Sequence, residues 1–272
     1  MSEAATDPIR VCLLVNDWQV VEWQRRALDH LLAETDARLT TVVTNPVQRD
    51  RSRLDLLQRA VELREWTVAA ALLKLSGDPS PWERSVDLDR LSYVAEADRI
   101  DAVPETVDGW KNRLPGAVES TVTDRADVAV RFGYGFLVGD LLTDLEYGVL
   151  SYHHGDIREY RGQPAGCWEY IHGRDAVGIT LQRITETLDA GEVVAETSVP
   201  IDDVHTYGEV RDRLYERSTP LLATGIGTLR SPDDDPATVE SLGDLYSFPQ
   251  GLDALRFLAK ELRGTLRASR AR

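Results

Sequence analysis

The residues IRVCLLV at Ile9–Val15 form an almost unbroken apolar run, closed by Asn16 and Asp17. A strand without a polar face has to be covered on both sides, as happens inside a parallel sheet flanked by helices. Apolar residues at helical spacing follow over Val20–Leu32, then a second strand at Arg38–Val43, so the chain opens as a β-α-β unit. No Gly-x-Gly-x-x-Gly turn follows the first strand, which removes the main support for a dinucleotide site. Arg51–Leu75 reads as mostly helical, broken at Ser76–Pro81, and residues 76–98 read as irregular and acidic. Further strands are expected at Arg99–Pro104, within Ala126–Gly135 and at Gly148–Tyr152, with a helical turn or two over Val138–Leu145. Val177–Thr185 and Glu192–Ile201 alternate in part, like a hairpin near a sheet edge. The expected class is α/β, a Rossmann-like, mostly parallel sheet over residues 1–229, closed by helix over Thr206–Thr228 and followed by an appendage over 230–272.

In that appendage, Ser231–Ser241 has a linker's composition and Leu252–Arg272 reads as a basic amphipathic helix. Such a helix can dock on a membrane surface, a partner subunit or RNA. The preferred expectation is that Leu255, Phe257, Leu258 and Leu262 pack on the domain while the arginines are solvated.

Charge excludes more than it identifies. The 272-residue chain carries a net charge of −15, and of its 31 basic residues only Lys74, Lys111 and Lys260 are lysines. That pattern matches a halophilic, acidic protein whose carboxylates keep it hydrated, and without a basic stripe nucleic acid is disfavoured as a partner. The two cysteines, Cys12 and Cys167, make no disulfide framework, which points to a reducing, cytoplasmic setting; no apolar run is long enough for a transmembrane segment. A homo-oligomer is compatible with all of this.

The chemistry concentrates in residues 147–173, YGVLSYHHGDIREYRGQPAGCWEYIHG. Ligands of open α/β sheets bind beyond the carboxyl ends of the strands, where His153, His154 and Asp156 should fall. The loop TETLDAG brings Asp189 to a turn after another apolar segment, and a histidine with a carboxylate from two such loops makes an acid/base pair. Adjacent histidines lack the i, i+4 spacing of a helical zinc pair, so no metal is expected. His30, His172 and His205 read as surface or helix-end residues, and Tyr160 and Trp168 as core.

The stretch from Tyr147 to Glu196 resembles the central region of the folate-dependent formyltransferases, which include methionyl-tRNA, glycinamide ribonucleotide and sugar N-formyltransferases. The matching residues are His153 at the strand end, Arg161 and Gly162 closing the loop, Gly173 ending a helix, Gly178 and Thr180 in a strand, and Asp189 and Gly191 in the next loop. The upstream DVAVRFGYGFLVGDLL resembles the lead-in of the same family. The resemblance implies the formyltransferase type of fold and 10-formyltetrahydrofolate as co-substrate, held near Gly133, Tyr134, Thr187 and Leu188. It implies His153 as the group alternating between base and donor, and Asp189 as its partner. Where the family has a catalytic Asn this chain has Ser151, so Ser151 or His154 is expected as the second oxyanion donor. Loss of one such donor typically costs about 100- to 1,000-fold in rate. Asp156, Arg158 and Arg161 are candidates for binding the acceptor, a small-molecule amine such as an amino sugar on a nucleotide, because the roughly 40 residues after Leu229 are too few for a tRNA-binding barrel. Two other readings remain: a degenerate member that binds ligand without turnover, and a formyl-folate hydrolase.

Overall fold

The computed structural model describes residues 7–46, 66, 80–188 and 190–271. The helix expected over Arg51–Leu75 falls, apart from Trp66, outside the described residues, as does Asp189. Seven strands form the central sheet: β1 (Arg10–Val15), β2 (Arg38–Thr44), β3 (Asp98–Asp101), β4 (Val128–Arg131), β5 (Val149–His153), β6 (Ala176–Arg183) and β7 (Glu192–Pro200), in the order β7-β6-β5-β4-β1-β2-β3. β1 to β5 pair in parallel, whereas β6 runs antiparallel to both β5 and β7. The sheet is thus mostly parallel with the expected hairpin at its edge.

Both faces are covered, as the apolar β1 requires. Val11, Leu13 and Val15 join one buried layer with α1 (Glu22–Glu34), and Cys12 and Leu14 join the other with α2 (Gly116–Arg125). Cys12 and Cys167 are buried free thiols. Residues 80–98, irregular by sequence, make short helical turns, and Ser85–Asp87 pairs antiparallel with Gln19–Val21. Among the described residues no helix is long and apolar enough to cross a membrane.

The C-terminal region departs from its compositional reading. Where a linker is expected, Ala237 exchanges both backbone bonds with Val193, and Asp244–Tyr246 pairs in parallel with Tyr160–Gly162. The terminal helix, Gly251–Ala271, docks through fully buried Ala254 and Phe257, with Leu258 beside them, while Leu255 and Leu262 are exposed, contrary to the expected packing. The inner face follows positions 254, 257, 258 and 261, where Glu261 accepts from the Tyr207 N–H at 2.9 Å. That choice turns Leu252, Leu255, Leu262 and Leu266 outward.

Along β5 successive side chains alternate, so Ser151 and His153 share one face, Tyr152 and His154 the other. His154 enters an aromatic group made by Trp23 of α1, Tyr152 and Tyr215, with ring centroids 5.1, 6.1 and 5.4 Å away. Its Nε2 donates to Ser218 Oγ at 2.9 Å, since that hydroxyl already spends its hydrogen on the Leu214 carbonyl. Burial, aided by neighbouring His153, pushes the His154 imidazolium down to about 3.

Because unfolded histidine titrates near 6.5, the unfolded chain binds the extra proton between pH 6.5 and 3, and stability falls as pH drops through that window. Allowing for the ring edge that reaches the cavity, His154 should cost roughly 1–2 kcal/mol at pH 5 relative to pH 7. Denaturant melts of His154→Phe should therefore lose less stability from pH 7 to pH 5 than wild type. Equal losses would mean that His154 does not carry the acid sensitivity.

Candidate active site

The sheet reverses its order between β1 and β4, which opens a crevice beyond their carboxyl ends. A cavity of about 850 Å³ extends from there past the ends of β5 and β6. Its wall includes Arg131, Phe136 and Leu137 after β4, His153 and His154 after β5, and Thr187 and Leu188 after β6. A helix, Tyr207–Ser218, adds Tyr207, Arg211 and Tyr215, and the C-terminal segment adds Leu245–Phe248. The charged side chains on this wall, among the described residues, are those of Arg131 and Arg211, in a chain whose net charge is −15.

His153 is buried and its Nε2 lies 2.9 Å from the Tyr160 carbonyl. A carbonyl only accepts, so this nitrogen carries the hydrogen and, in the neutral ring, the lone pair sits on Nδ1. The loop is shaped for that bond. A Cβ at Gly155 would lie 2.8 Å from His153 Nε2 and 2.9 Å from the Tyr160 oxygen, so a side chain there would wedge them apart. Thr180, the cross-strand neighbour of His153, donates to the Gly155 carbonyl at 3.2 Å and fixes the loop to β6.

Ser151 lies opposite Gln182 on β6, and its Oγ accepts from an Arg131 terminal nitrogen at 2.7 Å. The other Arg131 terminal nitrogen donates to the Gly135 carbonyl, which anchors the guanidinium at the cavity wall. Sequence reasoning passed over Arg131. Its signal was one basic residue ending the otherwise apolar strand Val128–Arg131.

The remaining site candidates divide. Thr187 and Leu188 line the cavity. Gly133 and Tyr134 do not: a Cβ at Gly133 would sit 2.4 Å from the Asn16 nitrogen, and buried Tyr134 donates its hydroxyl to the Ala102 carbonyl at 2.9 Å. Both belong to the floor that packs the loop onto β1, a correction to their expected contact with the co-substrate. Asp156 and Arg158 face away from this cavity. Arg158 is exposed and pairs with Glu196 at 2.7 Å, while Asp156 borders a separate recess beside α3 (Cys167–His172). Arg161 donates to the Gly243 carbonyl at 2.7 Å and the Leu188 carbonyl at 3.2 Å, so it ties the β6 loop to the C-terminal segment.

Arg211 and Tyr215 were also missed. Arg211 pairs with Glu83 at 2.7 Å, its guanidinium 5.3 Å from the Tyr207 ring, and Tyr215 donates to the same carboxylate at 3.2 Å. Their helix follows β7 in sequence, and only folding brings them over the end of β5.

Known proteins agree with this architecture. The formyl transferase family model matches residues 101–225. A methionyl-tRNA formyltransferase of Listeria monocytogenes serotype 4a (strain HCC23) is 29% identical over 113 residues, 41% of this chain and 36% of that protein. The chain thus matches well under two thirds of that relative. Among solved structures, the phosphoribosylglycinamide formyltransferase of Anaplasma phagocytophilum superposes with a TM-score of 0.53 at 14% identity, covering 89% of this chain and 100% of that one. The formyltetrahydrofolate deformylase of Pseudomonas syringae pv. tomato str. DC3000 gives 0.52 at 18% identity, covering 88% and 67%. Over residues 101–225 the chain is thus similar to the formyl transferase family, and its fold is that of these formyltransferase and deformylase structures.

Proposed function

We propose that this chain transfers a formyl group from 10-formyltetrahydrofolate to the amine of a small molecule, with an amino sugar on a nucleotide as the candidate acceptor. The observation that carries the reading is His153, fixed at the strand end by its Nε2 bond to the Tyr160 carbonyl and placed on the cavity wall. The cavity suits the co-substrate: it is large, rich in aromatic and aliphatic walls, and offers backbone groups from the loops after β4 and β6. Its two arginines favour anionic ligands, as a nucleotide and a folate tail both are. Acidity elsewhere on the chain argues against tRNA.

In this reading the amine nitrogen attacks the formyl carbon and the carbonyl oxygen becomes an oxyanion. His153 accepts the proton the amine sheds and returns it to the folate nitrogen as the carbon–nitrogen bond to folate breaks. Asp189, the partner that the resemblance implies, is the candidate to accept that proton in turn. Ser151 supplies the oxyanion donor: its oxygen accepts from Arg131, which leaves the hydroxyl hydrogen to donate and strengthens it by the adjacent positive charge. Arg131 thereby offsets the shorter reach of Ser relative to Asn. His154, held neutral with Nε2 bound to Ser218, shapes the wall and takes no proton.

Turnover of 10-formyltetrahydrofolate with a panel of amines, read by mass spectrometry, tests the assignment. His153→Ala should remove turnover by at least about 1,000-fold. Binding of co-substrate to wild type without turnover would establish the degenerate binding module instead, and formate release without any amine would establish the hydrolase.

Arg131→Met isolates the relay. It should lower kcat by about 100- to 1,000-fold with a smaller change in KM for the folate, because the donor acts on the transition state. An unchanged kcat would remove Arg131 and Ser151 from the chemistry.

A further inference from the structure

On the other side of the loop that holds His153 lies a second recess, of about 640 Å³, bounded by α3, the start of β6 and residues 156–160. Four carboxylates line it: Asp156, Glu159, Glu169 and Asp175. Two are already engaged, Glu159 by Arg174 at 2.9 Å, and Asp156 by the Arg158 backbone N–H at 2.9 Å. Asp175 is exposed at the rim. Glu169 differs from all of them: it is only 4% exposed, it forms part of the wall, and its buried Oε1 has no hydrogen-bond partner.

A buried carboxylate oxygen without a donor is costly, and native proteins rarely leave one so. Burial first, then the charges of Asp156 and Glu159, raises the Glu169 carboxyl to about 7. Protonation alone relieves the charge but does not supply Oε1 with a donor. Arg174, the basic residue on this wall, spends its guanidinium on Glu159 and on the Tyr160 hydroxyl at 2.9 Å.

We infer that this recess binds a small aliphatic diamine or polyamine, with one ammonium group donating to Glu169 and a second held by the rim carboxylates. An ammonium supplies up to three donors and a full positive charge, which meets both needs of Glu169 at once. Among the described residues no three His, Cys, Asp or Glu side chains converge closely enough to hold a metal ion, and the recess has room for a chain of carbons between charged ends. The bound amine would also rest against Tyr160, whose carbonyl receives the His153 hydrogen bond on the far side of the loop.

The probe is putrescine, titrated calorimetrically into the full chain at low ionic strength near pH 8, with Glu169→Gln beside wild type. Wild type should bind with a stoichiometry of one and Glu169→Gln at least tenfold more weakly, its melting temperature being equal or higher because a buried charge has gone. Asp175→Asn should weaken binding in the same direction, and it carries the test should Glu169→Gln fail to fold. The double variant Asp233→Asn, Asp234→Asn, which removes exposed charge outside the recess, should leave binding unchanged. Absence of saturable binding to wild type, equal binding by Glu169→Gln, or equal weakening by the outside pair would overturn the assignment.

Discussion

The structure depends on one close approach: the loop after β4 folds against the end of β1, where Gly133 lies on the Asn16 backbone and the Asn16 side chain accepts from the Tyr134 N–H at 2.7 Å. The two strands adjoin at the point where the sheet changes direction, β2 and β3 building outward on one side and β4 and β5 on the other. Only glycine fits that contact, and it sets the loop that carries Gly135, Phe136 and Leu137 into the cavity wall. Tyr134, at φ +64°, turns its ring down into the core and so pins the loop from beneath. The loop is thus closed against β1 by glycine and backbone, and held from the core side by the Tyr134 ring.

A second constraint works at β5. The antiparallel pairing of β6 puts Thr180 beside His153 and Gln182 beside Ser151, so one register fixes both candidate positions. Gln182 also accepts from the Gly191 N–H at 3.1 Å, and a Cβ at Gly191 would collide with the Arg183 carbonyl at 2.3 Å. The loop between them is therefore folded tightly back on β6, and Arg161 holds its Leu188 carbonyl from across the cavity mouth. Gly155, Thr180 and Gly191 act on backbone geometry, which explains why such small residues accompany the histidine.

What could be read from sequence follows from what is local. Unbroken apolar runs marked β1 and β4, and the strand-end position of His153 followed from the polar residues that stop β5. Alternation within β5 placed the two histidines on opposite faces, and the outcomes differ as that requires: His153 turns to the Tyr160 carbonyl, His154 to Trp23 and Tyr215. Partners brought by distant elements were not legible. Arg131 and Ser151 are 20 residues apart and meet only through the parallel pairing of β4 and β5. Tyr207, Arg211 and Tyr215 reach the wall through helix packing, and residues 245–248 through a short strand that composition reads as the end of a linker. Tyr134 misled for the converse reason: a tyrosine in a glycine loop looks available, and only its φ reveals that it points inward.

Charge is distributed with more structure than the net value suggests. The larger cavity presents Arg131 and Arg211 among its described lining, while the recess behind the His153 loop presents four carboxylates. Only residues 154–162 and their strands separate the two, so the loop stands between fields of opposite sign. A field decays over roughly 8–10 Å at ordinary ionic strength, and less steeply through protein than through water. The carboxylates of Asp156 and Glu159 thus lie close enough for their charge to be felt across the loop. Arg131, committed to Ser151 and Gly135, keeps its positive charge on the cavity side of the loop. On the proposed reading, proton acceptance and oxyanion stabilisation demand opposite potentials within a few ångströms, and this fold has acids behind the loop and an arginine in front of it.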